Sequence, residues 1–385
     1  MISNYRKICK RCFGRCFALD GHGESNLERG DRFIDYFKTL SSKGYEMVGE
    51  DECQFCNGIF LKFQQYLDMI QRELSEYEFD DFLVGSTFDD SVISQEKEIQ
   101  EIFQNKGESI KKEFNREFGK FISEKTGKKV NFKEPEIMIR MDMRYDSFSL
   151  QVKSLFVSGF YRKLVRGIPQ TRWIHRDPSS PSVETIIGNR INLLTKGTNF
   201  FLHGAGREDV DVLMLGNGRE FAIEVENPKR RKLNLYDLES LINGSGDGVE
   251  VFGLKPSSKE SVVMIKAEKN DKTYRLGLKF PTRVDKTKLK ILEEKFSGKD
   301  IYQRTPLRVS SRRSDLVRKR TIRKLEIEDS TGNEVTLLIT AESGTYIKEL
   351  VHGDDGRTEP SISGECEEMP EILYLDVVEI HRENE

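Results

Sequence analysis

Around position 209 the sequence sets carboxylates and a guanidinium on flexible backbone: His203-Gly204-Ala205-Gly206-Arg207-Glu208-Asp209-Val210-Asp211-Val212. An ionised carboxylate held beside a cation can serve as a nucleophile, and the two glycines permit the sharp bend that would present it. The residues that follow predict a hairpin: a strand over Val210–Leu215, a turn at Gly216-Asn217-Gly218 and a returning strand over Phe221–Val225. On such a strand Asp211 shares the parity of Asp209, which makes it the alternative nucleophile. Glycines next to charges also occur in ordinary solvated turns, so this run acquires meaning only from its company.

A second set of reactive side chains stands near the N-terminus. Cys9-Lys10-Arg11-Cys12 and Cys53-Gln54-Phe55-Cys56 are two Cys-x-x-Cys knuckles, and each short turn allows two thiolates to reach one tetrahedral ion. The expectation is one structural zinc held by Cys9, Cys12, Cys53 and Cys56. Cys16 and Cys366 are expected to be packed or surface thiols. His22, His175, His203, His352 and His381 are scattered without ligand spacing.

The net charge of -3 hides strong segregation. From Ser147 to Arg176 no acid occurs, while Lys153, Arg162, Lys163, Arg166, Arg172 and Arg176 are basic; from Arg304 to Lys324 Asp315 is the sole acid among nine bases. Two basic runs on either side of the aspartate segment suit a polyanionic substrate, so nucleic acid is the expected partner. The absence of an apolar run of about eighteen residues or an apolar signal core argues against a membrane span or secretion, and points to a cytoplasmic protein.

Gly204 to Asp209 resembles the Gly-Arg-Thr-Asp element that carries the catalytic aspartate of pseudouridine synthases. Two further elements of that superfamily follow in order, Lys272-Thr273-Tyr274-Arg275 and Ser343-Gly344-Thr345-Tyr346-Ile347-Lys348-Glu349-Leu350. With Gly159 to Trp173, Gln303-Arg304-Thr305-Pro306-Leu307-Arg308-Val309 and Val351 to Thr358, most of the C-terminal half is similar to the archaeal tRNA pseudouridine synthases that modify adjacent T-loop uridines. Lys348 stands where relatives carry Arg, so a bidentate geometry gives way to a point charge. The resemblance implies Asp209 as nucleophile, Arg207 and Lys348 as its supporting charges, and Tyr274 and Tyr346 against the substrate. It also implies no cofactor for catalysis, and tRNA, through its T arm, as the partner of a monomer. Arg304, Arg308, Arg312 and Arg313 are the expected RNA contacts.

The elements that must position these groups are of mixed type, an α+β chain. Apolar residues Phe60, Phe63, Tyr66, Leu67, Ile70 and Leu74 recur at helical spacing. Shorter helices are expected over 31–37, 96–103 and 110–122, with strands near 82–85, 137–141 and 148–152. In the resembled family this region is a THUMP-like RNA-binding domain. Further on, Ser180-Pro181 predicts a helix start, with Val183, Ile186, Ile187, Ile191 and Leu194 facing inward, and Leu235, Leu238, Leu241 and Ile242 mark a second helix. Strands are expected over 262–266, 274–280, 321–328, 334–339 and 374–380. The expected division is a zinc-binding segment (1–57), a THUMP-like domain (58–165) and a pseudouridine synthase catalytic domain (166–385) built on a mixed, mostly antiparallel sheet.

Two other classes fit parts of the sequence. Asp211 with Glu224-Val225-Glu226 suggests a metal-dependent nuclease, although no lysine stands two residues after Glu224. A non-catalytic, zinc-containing RNA-binding protein is the other.

Overall fold

The structure is a computed structural model and describes residues 5–20, 23–104, 106–172 and 180–382. His22, Trp173, His175 and Arg176 lie outside the described residues. Two compact units are present, one running up to Lys153 and including Asn227–Lys232, the other comprising Ser154–Glu226 and the chain from Leu233 onward.

In the first unit β1 (Arg6–Cys9) pairs in parallel with β2 (Tyr45–Val48), and between them lie α1 (Lys10–Arg15), α2 (Asn26–Arg32) and α3 (Phe37–Ser41). The single helix expected over 31–37 is broken. Phe33 leaves helical geometry at φ -99° and ψ 16°, and its ring stacks on Phe17 at 4.4 Å. After α4 (Phe63–Leu74) come β3 (Asp81–Thr87), α5 (Asp90–Ile102), α6 (Ile110–Thr126), β4 (Lys129–Val130), β5 (Ile137–Asp142) and β6 (Ser147–Val152). These strands form a sheet in the order β4-β3-β5-β6, antiparallel only between β5 and β6. The stripe on α4 buries Tyr66, Leu67, Ile70 and Leu74, while α6 is opened by the Ser109 hydroxyl accepting from Lys112 N and closed by Gly127 at φ +71°. Phe63 and Tyr66 meet Phe114 and Phe118 of α6 in a continuous aromatic core.

The second unit opens with β7 (Leu155–Lys163), followed by α7 (Val183–Thr195), β8 (Asn199–Gly204), β9 (Leu213–Glu226), α8 (Leu235–Asn243), β10 (Val249–Ser257) and α9 (Lys259–Ala267). Then come β11 (Asp271–Lys279), α10 (Lys286–Phe296), β12 (Lys299–Arg304), β13 (Val317–Thr331), β14 (Glu334–Ala341), α11 (Ile347–His352), β15 (Thr358–Glu359), α12 (Ile362–Cys366) and β16 (Glu371–His381). Among the described residues the sheet runs β10-β7-β9-β16-β11-β14-β13-β12-β15, with β8 also on β9. Only β9 and β16 pair in parallel, which is the mixed, mostly antiparallel sheet that the sequence predicts.

Several sequence expectations need correction. This unit starts at Ser154 and not at 166, because β7 pairs with β9 and β10 in its sheet. Residues 262–266 lie in helix α9: only Val262 and Ile265 are buried, at i and i+3, while Val263 and Met264 face solvent. The cap of α7 is Ser182, whose hydroxyl accepts from Thr185 N at 3.0 Å, and Leu194 ends up exposed. Residues 213–226 form one strand, with Gly216 and Gly218 at positive φ inside it. A Cβ on Gly216 would stand 1.8 Å from the carbonyl oxygen of Val378, so these glycines let β9 bend across β16 and do not reverse it. The hairpin partner of Phe221–Val225 is β8, and Asp209 sits in the connection between them. Among the described residues, no helix is long and apolar enough to cross a membrane.

Candidate active site and cysteine cluster

The connection from β8 to β9 is anchored by the residue between the two expected to do chemistry. Glu208 is buried; its carboxylate meets Arg219 Nε at 2.9 Å and accepts from the Tyr161 hydroxyl at 2.7 and 2.9 Å. Gln170 Nε2 donates to the same hydroxyl and to Gly206 O, and Arg219 Nη1 donates to Ala205 O. Gly206, at φ +87°, makes this turn without a Cβ that would lie 2.8 Å from Arg219 Nη1. Burial and the neighbouring Glu208 charge push the Tyr161 phenol well above its usual range, so it stays a donor. Glu208→Ala is expected to destabilise this unit by about 3 to 5 kcal/mol, because it strands the buried Arg219 charge; thermal or urea unfolding measures it, and a loss below about 1 kcal/mol contradicts the assigned anchor.

With Glu208 turned inward, the Asp209 carboxylate is 40% exposed and faces two cations. Arg308 Nη1 lies 3.3 Å from each of its oxygens, and Lys348 Nζ lies 3.3 Å from Oδ2. Lys348 also grips Asp211 at 2.8 Å. Burial opposes ionisation of Asp211, but the Lys348 contact, a backbone hydrogen bond and the Lys163 charge together hold this carboxyl below its usual range. Lys348 comes from the first turn of α11, and Gln303 on β12 clamps Tyr346 at the start of that helix: its amide donates to Tyr346 O and accepts from Tyr346 N, both at 2.9 Å. Arg308 donates through Nε to the buried Glu349 at 2.6 Å, and its guanidinium lies 6.0 Å from the Tyr346 ring centre. Arg313 Nη1 donates to the Tyr346 hydroxyl at 2.8 Å. The motifs at 204–209, 303–309 and 343–350 thus converge on one carboxylate.

Other expected site residues fall elsewhere. Arg207 is exposed, and the charges on Asp209 are Arg308 and Lys348 in its place. Nearness in sequence does not make Arg207 the partner, because the cations that reach Asp209 arrive from the segment after β12 and from α11. Tyr274 is half-buried on β11 near the Arg219 charge, and burial pushes its phenol up to about 12. Arg304 pairs with Asp315 at 2.6 Å. The Arg312 side chain lies outside the described residues.

In the first basic run, expected to face phosphate, Lys163 is buried and the other described bases, though partly exposed, are bonded within the protein. Lys163 Nζ is bound to the carbonyls of Ile168, Asp209 and Val210, Arg166 to Asp211 O and Asp376, Arg162 to Gly216 O and Arg172 to Glu184. Carbonyl dipoles and carboxylates distant in sequence partner the cations of this acid-free stretch. Sequence reading gave no positioning role to Tyr161, Arg219, Gln303 or Glu349, and gave Lys163 an outward, phosphate-facing one. A trace of them existed in β7, where Tyr161 and Lys163 share a face that must be buried if the strand is central.

In the first unit, Cys9, Cys12, Cys53 and Cys56 bring their four sulfurs within 4.8 Å of one another, all buried. Two of the separations, Cys9 to Cys56 and Cys12 to Cys53, are 3.7 Å. A tetrahedral ion with metal–sulfur bonds of about 2.3 Å requires sulfurs about 3.8 Å apart, so the cluster fits a metal ion of that size. Cys12 N donates to Cys9 Sγ and Cys9 N to Cys53 Sγ, as suits thiolate ligands. Cys16 and Cys366 are buried thiols. Among the described residues this is the one group of Cys, His, Asp and Glu gathered for a metal. The carboxylates of the nuclease reading are engaged otherwise, Asp211 with Lys348 and Glu224 with His203 at 3.0 Å.

Known relatives match nearly the whole chain. Residues 156–381 match the family model described as Pus10, C-terminal, and residues 66–142 match Pus10 THUMP domain, archaeal. A tRNA pseudouridine synthase Pus10 of Thermoplasma acidophilum is 45% identical over 383 residues, covering 99% of this chain and 98% of that protein. Its counterpart in Picrophilus torridus is 46% identical, covering 98% and 97%. That of Pyrococcus furiosus is 36% identical, covering 98% and 96%.

Proposed function

The chain belongs to the Pus10 family of tRNA pseudouridine synthases, and on that premise we propose that it isomerises adjacent T-loop uridines with Asp209 as the nucleophile. The observation that carries this reading is the solvent-accessible Asp209 carboxylate held between Arg308 and Lys348 on an anchored turn. The reaction breaks the bond from ribose C1' to the base nitrogen, turns the base and rejoins it through carbon, with no change in composition and no cofactor. Asp209 supplies the negative charge that attacks or stabilises the sugar–base centre, and the two cations keep that charge aimed. Asp211 is the weaker candidate because Lys348 holds it at 2.8 Å on the outer side of the same turn.

A uridine must leave its stack to reach Asp209, at a cost of a few kcal/mol that is smallest in a loop, and the T loop meets that need. In this reading Tyr346, beside Arg308 and Arg313, stacks on the displaced base and Tyr274 on β11 is a second substrate contact; such contacts contribute on the order of 1 to 3 kcal/mol each. Arg304, Arg312 and Arg313 supply phosphate contacts. Arg308, expected among them, is engaged with Asp209 and Glu349 and acts at the carboxylate. The cysteine cluster would hold zinc, which contributes folding energy and takes no part in the reaction.

Incubating the protein with an unmodified tRNA transcript and mapping pseudouridine tests the reading: modification at adjacent T-loop uridines is expected, undiminished by chelation of magnesium. Modification confined to another arm would overturn the T-loop assignment. Arg313→Ala is expected to weaken tRNA binding to a similar degree for all sequences and to lower the salt slope by roughly one unit, as loss of one phosphate contact requires. An unchanged slope places Arg313 off the RNA.

A further inference from the structure

We infer that Lys163 is a positioning residue for the reaction, its ammonium group fixing from behind the backbone of the turn on which Asp209 is carried. This rests on the reading of Asp209 as nucleophile. Lys163 ends β7 and is fully buried, with 0% exposure. Its Nζ lies 3.0 Å from Asp209 O, 3.2 Å from Val210 O and 3.1 Å from Ile168 O. An ammonium has three donors and no acceptor, so three carbonyls satisfy it completely. Burial pushes Lys163 below the usual lysine range, opposed by the Glu208 and Asp211 charges.

A buried strand position filled by a hydrophobe would avoid the cost of desolvating a charge. What the lysine adds is a tie between segments that lack regular pairing. Gly167 N also donates to Val210 O and Arg166 to Asp211 O, so three consecutive carbonyls of the turn are held from the β7 side. The carboxylate end of Asp209 is held differently, by Lys348 and Arg308, whose side chains are 22% and 43% exposed. Those two cations lie where incoming RNA can draw them away, whereas Lys163 is shielded from RNA. Asp209 therefore keeps its place when its outer partners move. Displacing a reacting group by about 1 Å costs on the order of a hundredfold in rate, which sets the expected effect.

The test uses the full-length protein and an unmodified tRNA transcript. Lys163→Met keeps the length of the side chain and removes its donors; kcat is expected to fall by about a hundredfold while KM and tRNA affinity stay within about threefold. Lys163→Ala is expected to regain turnover with added n-butylamine, whose ammonium end fills the vacated position, and Asp209→Asn is expected to show no such rescue. A kcat within about threefold of the parent in Lys163→Met, or a parallel loss of kcat and tRNA affinity, overturns the proposal. If Lys163→Met does not fold, the alanine variant decides: amine-dependent turnover supports positioning, and its absence overturns it. Full activity in Asp209→Asn would sink the nucleophile reading itself, while an inactive Asp209→Asn beside a fully active Lys163→Met removes only the role of Lys163.

Discussion

Asp209→Asn is expected to lower kcat for pseudouridine formation by about 10⁴-fold or more while tRNA affinity stays within about threefold. The substitution keeps the shape of the side chain and removes the charge that Arg308 and Lys348 face. It leaves Glu208, and with it the buried anchor of the turn, untouched. Both cations are partly exposed, so losing their partner costs little in stability; they also become freer to meet phosphate, and binding is expected to hold or tighten. Single-turnover kinetics with product mapping, together with a binding isotherm, separates the two effects. Activity near the parent level would remove Asp209 from the chemistry and leave Asp211, at 2.8 Å from Lys348, as the next carboxylate to test.

Cys53→Ser is expected to unfold the N-terminal unit locally, with loss of one zinc per chain. Structural zinc contributes on the order of 10 to 16 kcal/mol of binding free energy in small domains, comparable to the whole stability of a typical domain. Cys53 is one of the four ligands: its sulfur accepts from Cys9 N at 3.2 Å and lies 3.7 Å from Cys12 Sγ. The buried Arg15, paired with Glu96 and Glu113, packs in the same unit. Metal analysis of freshly purified protein should give one zinc per chain, and chelation should lower the first unfolding transition before the second. A preparation without zinc that unfolds at the same temperature as a zinc-loaded one contradicts the assignment.

Sequence alone determined whatever depends on spacing along the chain. The Cys-x-x-Cys pairs needed only their local turns to predict a shared ion, the stripe on α4 only its 3.6-residue period, and the Gly206 to Asp209 run only its order of residue types. Partial misreadings followed wherever period was ambiguous. Val262 to Lys266 has the β-branched content of a strand, yet the Ser258 cap and burial at i and i+3 make it a helix. Gly216-Asn217-Gly218 has the chemistry of a reverse turn, and in the sheet the same positive-φ freedom serves a bend inside β9.

Tertiary structure decided who partners the carboxylate. Arg207 is near Asp209 in sequence and exposed in the fold, whereas Arg308 and Lys348 arrive from residues 99 and 139 positions later. Charge segregation was legible, but its destination was not: Lys163 and Arg166 are bonded to carbonyls of the Asp209 turn. A carbonyl dipole carries no mark in the sequence, because every residue has one. Which of them a buried ammonium meets depends on the register of β7 against β9, and that register is set by the packing of the whole sheet.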